Sequence, residues 1–188
     1  HDWFNKFQKI INEATYHQIT TAQEQGLLNN SGITPSPFFI MLHTFSHILI
    51  NQLSFDSGYS STSLKERIYS NQDKKRYGIL IYTTDADAEG SMGGLVEMGT
   101  PQYIEEVIYK AVSKSTWCSS DPVCRELEKQ GVGGLNAAAC HACSLISETS
   151  CSYMNVLLNR LLVSGDGRLN GKGKSEPEGF FNEFMDQG

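Results

Sequence analysis

The chain has 188 residues, with 15 Lys and Arg against 21 Asp and Glu, a formal charge of -6 and a sequence pI near 5.3. A hydrophobic share of 39% and a charged share of 19% exclude a disordered acidic chain or a fibrous repeat. The negative balance excludes a protein that coats nucleic acid by bulk electrostatics, so any DNA contact must come from a local patch or a partner.

Residues 3 to 24 place Trp3, Phe4, Phe7, Ile10, Ile11 and Ala14 at helical spacing, which predicts an amphipathic helix packed on one face. Gly26, Asn29, Asn30, Ser31, Gly32, Pro35 and Pro37 then predict a linker. From Phe38 to Phe55 the sequence is apolar nearly all round, as a helix buried in the middle of a domain is. His43, His47, Asn51 and Gln52 interrupt it, which argues against a bilayer span. Gly58 ends this helix. The box Ser63-Leu64-Lys65-Glu66 predicts a further short helix through Tyr69. Tyr77 to Thr84 is a β-branched and aromatic run and reads as a buried central strand. Thr100 and Pro101 open another helix, with Glu105 and Glu106 favourable near its N-terminus, leading to Cys118. Tyr153, Val156, Leu157 and Leu161 predict a last helix, ended by Ser164-Gly165. Glycines and mixed charges after residue 165 predict a flexible tail, with Phe180, Phe181, Phe184 and Met185 as a docking stub.

Cys118, Cys124, Cys140, Cys143 and Cys151 carry the first chemical information. An odd number in a chain of this length, clustered and without an export signal, argues for thiolates on a metal in a reducing cytoplasm rather than for disulfides. The two-residue gap between Cys140 and Cys143 lets both sulfurs reach one tetrahedral ion about 2.3 Å away. Any four of the five close a structural zinc site, and His141 is a bystander inside the knuckle. A redox Cys-x-x-Cys pair would need a thioredoxin-like strand and helix around it.

Other motifs fail on inspection. Gly171-Lys172-Gly173-Lys174-Ser175 ends like a phosphate loop, but its upstream glycine position is Arg168. Asp85-x-Asp87-x-Glu89-Gly90 starts like a calcium loop, but position twelve is Val96. His43 and His47 lie four apart on one helical face, a metal-pair spacing; in so apolar a helix they read as hydrogen-bonded core histidines. Between Lys65 and Arg76 five basic residues face Glu66 and Asp73, whereas from Asp85 to Glu106 there are six acids and no Lys or Arg. Both stretches read as solvated faces; as an interface, Lys74, Lys75 and Arg76 would contact phosphates.

Several segments together resemble one family. They are Leu42-His43-Thr44-Phe45-Ser46-His47, Gly58-Tyr59-Ser60, Gly78 to Tyr82, Gly90-x-x-Gly93-Gly94-Leu95, Cys118-Ser119-Ser120-Asp121-Pro122-x-Cys124, Ala139-Cys140-His141-Ala142-Cys143, Glu148 to Cys151 and Asn155 to Arg160. Their order resembles the C-terminal zinc-binding domain shared by MrfA-type superfamily 2 DNA-repair helicases and the DrmB subunit of DISARM phage defence, the DrmB-like branch being nearer. The resemblance runs from about Leu42 to Leu162. It implies a cytoplasmic bacterial protein with Zn2+ held by cysteines, working on DNA beside a helicase subunit or domain in defence or repair. On the helicase branch it implies Cys140, Cys143 and Cys151 as ligands, with Cys124, in preference to Cys118, as the fourth. Asn155, Asn159 and Arg160 match its polar run, implying a cap and surface pair or, for Arg160, a nucleic-acid contact. No helicase motif is present, so the implied role is binding and assembly rather than ATP hydrolysis.

The expected fold is α/β, a small central sheet packed by helices with a four-cysteine zinc knuckle at one end. The expected organisation is an N-terminal helix and linker over 1–37, a zinc-binding domain over 38–164 and a tail over 165–188. The rival reading is a metal-dependent nuclease using Asp85, Asp87, Glu89 and His43. The opening His1-Asp2-Trp3 leads us to expect a piece of a longer protein, and no membrane partner is expected.

Overall fold

A computed structural model describes residues 13–26, 34–71, 73–83, 92–165 and 179–185. Helix α1 (Glu13–Gln25) covers the end of the first predicted helix; Trp3, Phe4, Phe7, Ile10 and Ile11 lie outside the described residues. Its anchor is polar. The buried Gln18 amide donates to the carbonyls of Leu135 and Leu158, at 2.8 and 2.9 Å, satisfying two backbone acceptors that have left water.

Helix α2 (Pro37–Ser57) is the core helix expected from its sequence. The Ser36 hydroxyl accepts the Phe39 N–H at 3.1 Å, Pro37 stands at the first position, and Gly58 closes the C-terminus at φ +75. Phe38, Phe39, Ile40, Met41, Phe45, Ile48, Leu49, Ile50 and Leu53 are buried, each worth about 1.5–3 kcal/mol when fully withdrawn from water. By length and composition alone this 21-residue helix could cross a membrane, contrary to the expectation from its polar interruptions, but 78% of its apolar window is buried within the fold.

Two antiparallel strands, β1 (Leu64–Asn71) and β2 (Arg76–Thr83), pair in register from Leu64 opposite Thr83 to Asn71 opposite Arg76. The short helix expected over Ser63–Tyr69 is therefore strand. Leu64, Glu66 and Ile68 are buried while Arg67 and Tyr69 are exposed, a period of two that overrides the local capping signal. The expected central strand is one arm of this hairpin, and Leu80 and Tyr82 on its outer face are exposed at 47% and 38%. Tyr77 stacks on Phe38 with ring centroids 4.8 Å apart, closing the hairpin onto α2.

Helices α3 (Met92–Met98) and α4 (Ile104–Ser115) follow. Val107, Ala111 and Val112 of α4 pack into the core, and Glu105 and Glu106 occupy its first turn. Beyond Ser115 the chain is mostly turns, with α5 (Val123–Glu126), a 3-10 turn (Val132–Gly134) and α6 (Leu161–Ser164). The helix expected from Tyr153 to Leu161 does not form before Leu161. Met154, Asn155 and Leu157 have φ of 56, 54 and 60. The amides of Tyr153 and Asn155 turn onto the Cys151 sulfur, so the intrahelical bonds are forgone. Helix α7 (Asn182–Met185) ends the described chain, with Phe181 against Phe45 at 4.4 Å, so this part of the expected tail does dock.

Candidate metal centre

Four cysteines meet where three loops converge. Cys118 follows α4, Cys124 lies on α5, and Cys140 and Cys143 bracket a turn closed by the Cys143 N–H on the Cys140 carbonyl at 3.2 Å. Their sulfurs all lie within 4.8 Å of one another. Cys118 to Cys140 is 3.5 Å, Cys124 to Cys143 is 3.8 Å and Cys140 to Cys143 is 3.8 Å. Sulfurs bound to one tetrahedral zinc at about 2.3 Å would stand about 3.8 Å apart, so the donor set fits that ion. Backbone amides point at the sulfurs, Ser120 N–H to Cys118 at 3.4 Å and Cys140 N–H to Cys143 at 3.3 Å, which favours thiolate.

The electrostatics also call for a cation. Burial, with repulsion from the neighbouring sulfurs, pushes the Cys124 thiol far up and raises Cys143. Cys140 is held below its ordinary value: burial opposes this, but the Ala142 backbone and the other three thiols outweigh it. Several thiolates cannot share so small a volume unless an ion compensates them.

Arg160 braces this centre. Its side chain is completely buried, donates to both oxygens of Asp121 at 2.7 and 3.0 Å, and reaches the Ser115 carbonyl at 3.0 Å. Asp121 in turn accepts the Cys118 N–H at 2.9 Å. The expected nucleic-acid contact at Arg160 is corrected accordingly: its guanidinium is occupied inside the core and no phosphate reaches it.

Cys151 stands apart from the four. Its sulfur lies 3.3 Å from His43 Nε2 in a second buried group that includes His47 and Glu66. Burial alone would raise the Cys151 thiol, but the two histidines bring it down to about 7. Burial alone would lower His43, but the Glu66 charge and bonds to Cys151 and Glu66 push it up to about 10. Burial would raise Glu66, yet the same two histidines hold it well below the usual carboxylate range. Spacing along the chain shows the histidine pair but not its partners. Local pattern puts Glu66 in a helix cap and Cys151 in the knuckle, and only their shared depth in the fold reveals the group.

Lys74, Lys75 and Arg76 sit exposed at the turn between β1 and β2. Lys74 and Arg76 line a groove of about 650 Å³ with Arg67, Tyr69 and Tyr82. His141 is exposed at the knuckle tip, as a bystander would be. Asp85, Asp87 and Glu89 lie outside the described residues.

A mixed helical domain with a two-stranded sheet and four cysteines clustered at metal-binding distance is a zinc-binding domain. Residues 45–144 match the MrfA Zn-binding domain family, and the chain belongs to it. DISARM protein DrmB of Bacillus paralicheniformis is 50% identical over 125 residues, which is 66% of this chain and 22% of that protein. The chain thus spans about a fifth of that relative's length. Family and donor set agree on zinc as the cofactor.

Proposed function

We propose that this chain is the zinc-held binding and assembly module of a DNA-processing helicase complex serving antiphage defence in the bacterial cytoplasm. The observation that carries it is the convergence of Cys118, Cys124, Cys140 and Cys143, taken with a relative that bears the DISARM name. In this reading those four residues are the zinc ligands. Four protein sulfurs leave no coordination position for water or substrate, which is the pattern of structural rather than catalytic zinc and supports a non-catalytic role for the module. The module proper is residues 38–164, with α1 and the Phe180–Phe181 segment bracing it.

DNA contact falls to the hairpin turn in this proposal. Lys74, Lys75 and Arg76 supply charge, and Tyr69 and Tyr82 in the adjoining groove supply faces on which bases stack. The helicase partner falls to a second groove beside the knuckle, lined by Phe55, Trp117, His141 and Cys143, where Phe55 and Trp117 are 76% and 67% exposed.

The test uses the full-length protein with its partner complex. Reversing Lys74, Lys75 and Arg76 to Glu is expected to weaken DNA binding while zinc content stays unchanged. Trp117→Ala with Phe55→Ala is expected to weaken co-purification of the helicase subunit. Unchanged DNA affinity and unchanged assembly would reject the module's binding role.

A further inference from the structure

We propose that His43, His47, Glu66 and Cys151 form a second, structural divalent-metal site, distinct from the four-cysteine knuckle.

Their donor atoms converge as ligands do. His43 and His47, one helical turn apart on α2, both turn Nε2 toward Glu66 Oε1, at 3.1 and 3.4 Å. The Cys151 sulfur lies 3.3 Å from His43 Nε2, and all four donor atoms fall within 4.8 Å of one another. Ligands at about 2.0–2.3 Å around a tetrahedral ion are separated by about 3.3–3.8 Å, close to the spacings found.

The surroundings leave each donor free toward the centre. His47 Nδ1 lies 2.9 Å from the Ser144 carbonyl. A carbonyl only accepts, so Nδ1 carries a proton, and Nε2, which faces Glu66, is the nitrogen that would bind a metal in exchange for any proton it holds. The Ser46 hydroxyl holds Glu66 Oε2, turning Oε1 inward. The Cys151 sulfur accepts the amides of Tyr153 and Asn155 at 3.3 and 3.2 Å, the outer-shell arrangement of a ligating thiolate. His43 is set by packing, its ring 5.4 Å from Phe39 and 5.2 Å from Tyr153.

Charge identifies the ion class. One carboxylate and one thiolate neutralise a divalent cation, and two neutral imidazoles complete four-coordination, so the loaded site carries no net charge into the core. Two nitrogens, one oxygen and one sulfur in a tetrahedral cage suit Zn2+. All four side chains are buried, as structural ligands are. The site would tie α2, β1 and the segment after the knuckle into one unit. It also explains why Glu66, on a strand, tolerates full burial.

The second site is independent of the DNA and partner reading, and metal analysis of the full chain purified without chelator tests it. Two zinc ions per chain are expected, with an X-ray absorption shell that averages sulfur-only and mixed nitrogen, oxygen and sulfur ligands. That measurement on the unaltered protein does not depend on a variant folding. Cys151→Ser and His43→Gln are each expected to reduce the content to one ion with a purely sulfur shell. One ion with a purely sulfur shell in the unaltered protein would overturn the second site and leave the knuckle standing. One ion with a mixed shell would support it and overturn the knuckle instead. A second ion whose binding and ligand shell survive both substitutions would also overturn it.

Discussion

Arg160 Nη2 donates to both carboxylate oxygens of Asp121, at 2.7 and 3.0 Å, in an ion pair whose guanidinium is completely buried and whose carboxylate is nearly so. Because Asp121 also takes the Cys118 N–H, a residue 42 positions from the first cysteine sets the loop on which that cysteine stands. Arg160→Leu removes the counter-charge of the Asp121 carboxylate and the guanidinium donors of the Ala138 and Ser115 carbonyls, leaving Ser115 with the Ser164 hydroxyl and Asp121 with the Cys118 N–H. We expect a loss of about 3–5 kcal/mol in denaturant unfolding, as for other broken buried pairs. A loss near zero would show that Arg160 does not brace the knuckle.

Zinc content separates the cysteines. Cys118→Ser and Cys124→Ser are each expected to lose the sulfur-bound zinc and to lower stability by well over the roughly 1 kcal/mol of an average substitution. Cys151→Ser and His141→Ala are expected to keep that zinc, since neither side chain belongs to the four-sulfur group. Chelation followed by thiol titration should expose the four knuckle thiols, and Cys151 as a fifth when the second ion is also removed.

The basic turn has an ionic signature. If Lys74, Lys75 and Arg76 bind phosphates, neutralising them reduces the slope of log affinity against log salt by about 0.9 for each phosphate charge no longer compensated. Binding measured at several salt concentrations in the full-length protein reads this directly. An unchanged slope would place the DNA-binding surface elsewhere.

Gly131 is irreplaceable for a steric reason. It adopts φ +68, and a Cβ there would stand 2.6 Å from the Asn136 amide nitrogen. Asn136 accepts the Leu158 N–H and donates to the Asn155 carbonyl, so it cannot yield without breaking both bonds. Gly131→Ala is expected to cost about 1–3 kcal/mol. Gly78→Ala, where a Cβ meets nothing within 4 Å, is expected to lie within about 0.5 kcal/mol of the parent. Thermal unfolding of the pair checks the contrast.

Helix α2 is legible in the sequence because its apolar run, its Ser36-Pro37 start and its Gly58 stop are local signals that agree with one another. The β1 segment is not, because a capping box is a four-residue pattern, whereas the period is decided by strand partners on β2 such as Ile81 opposite Glu66 and Thr83 opposite Leu64. The segment after Cys151 misleads for a related reason. Apolar spacing cannot show amides drawn away to a sulfur, nor a side-chain clamp in which Asn155 bonds Ile146 through both N–H and C=O.

By itself the sequence determined the core helix, the clustered cysteines and hence a zinc-held domain, because composition, caps and the Cys140 to Cys143 gap act over a few residues. Only the tertiary structure decided which cysteines stand together, sending Cys118 and Cys124 to the knuckle and Cys151 to His43, His47 and Glu66. It also took Arg160 out of solvent and into a brace. Such partnerships depend on where distant segments meet in depth, and that is settled by packing around α2 rather than by spacing along the chain.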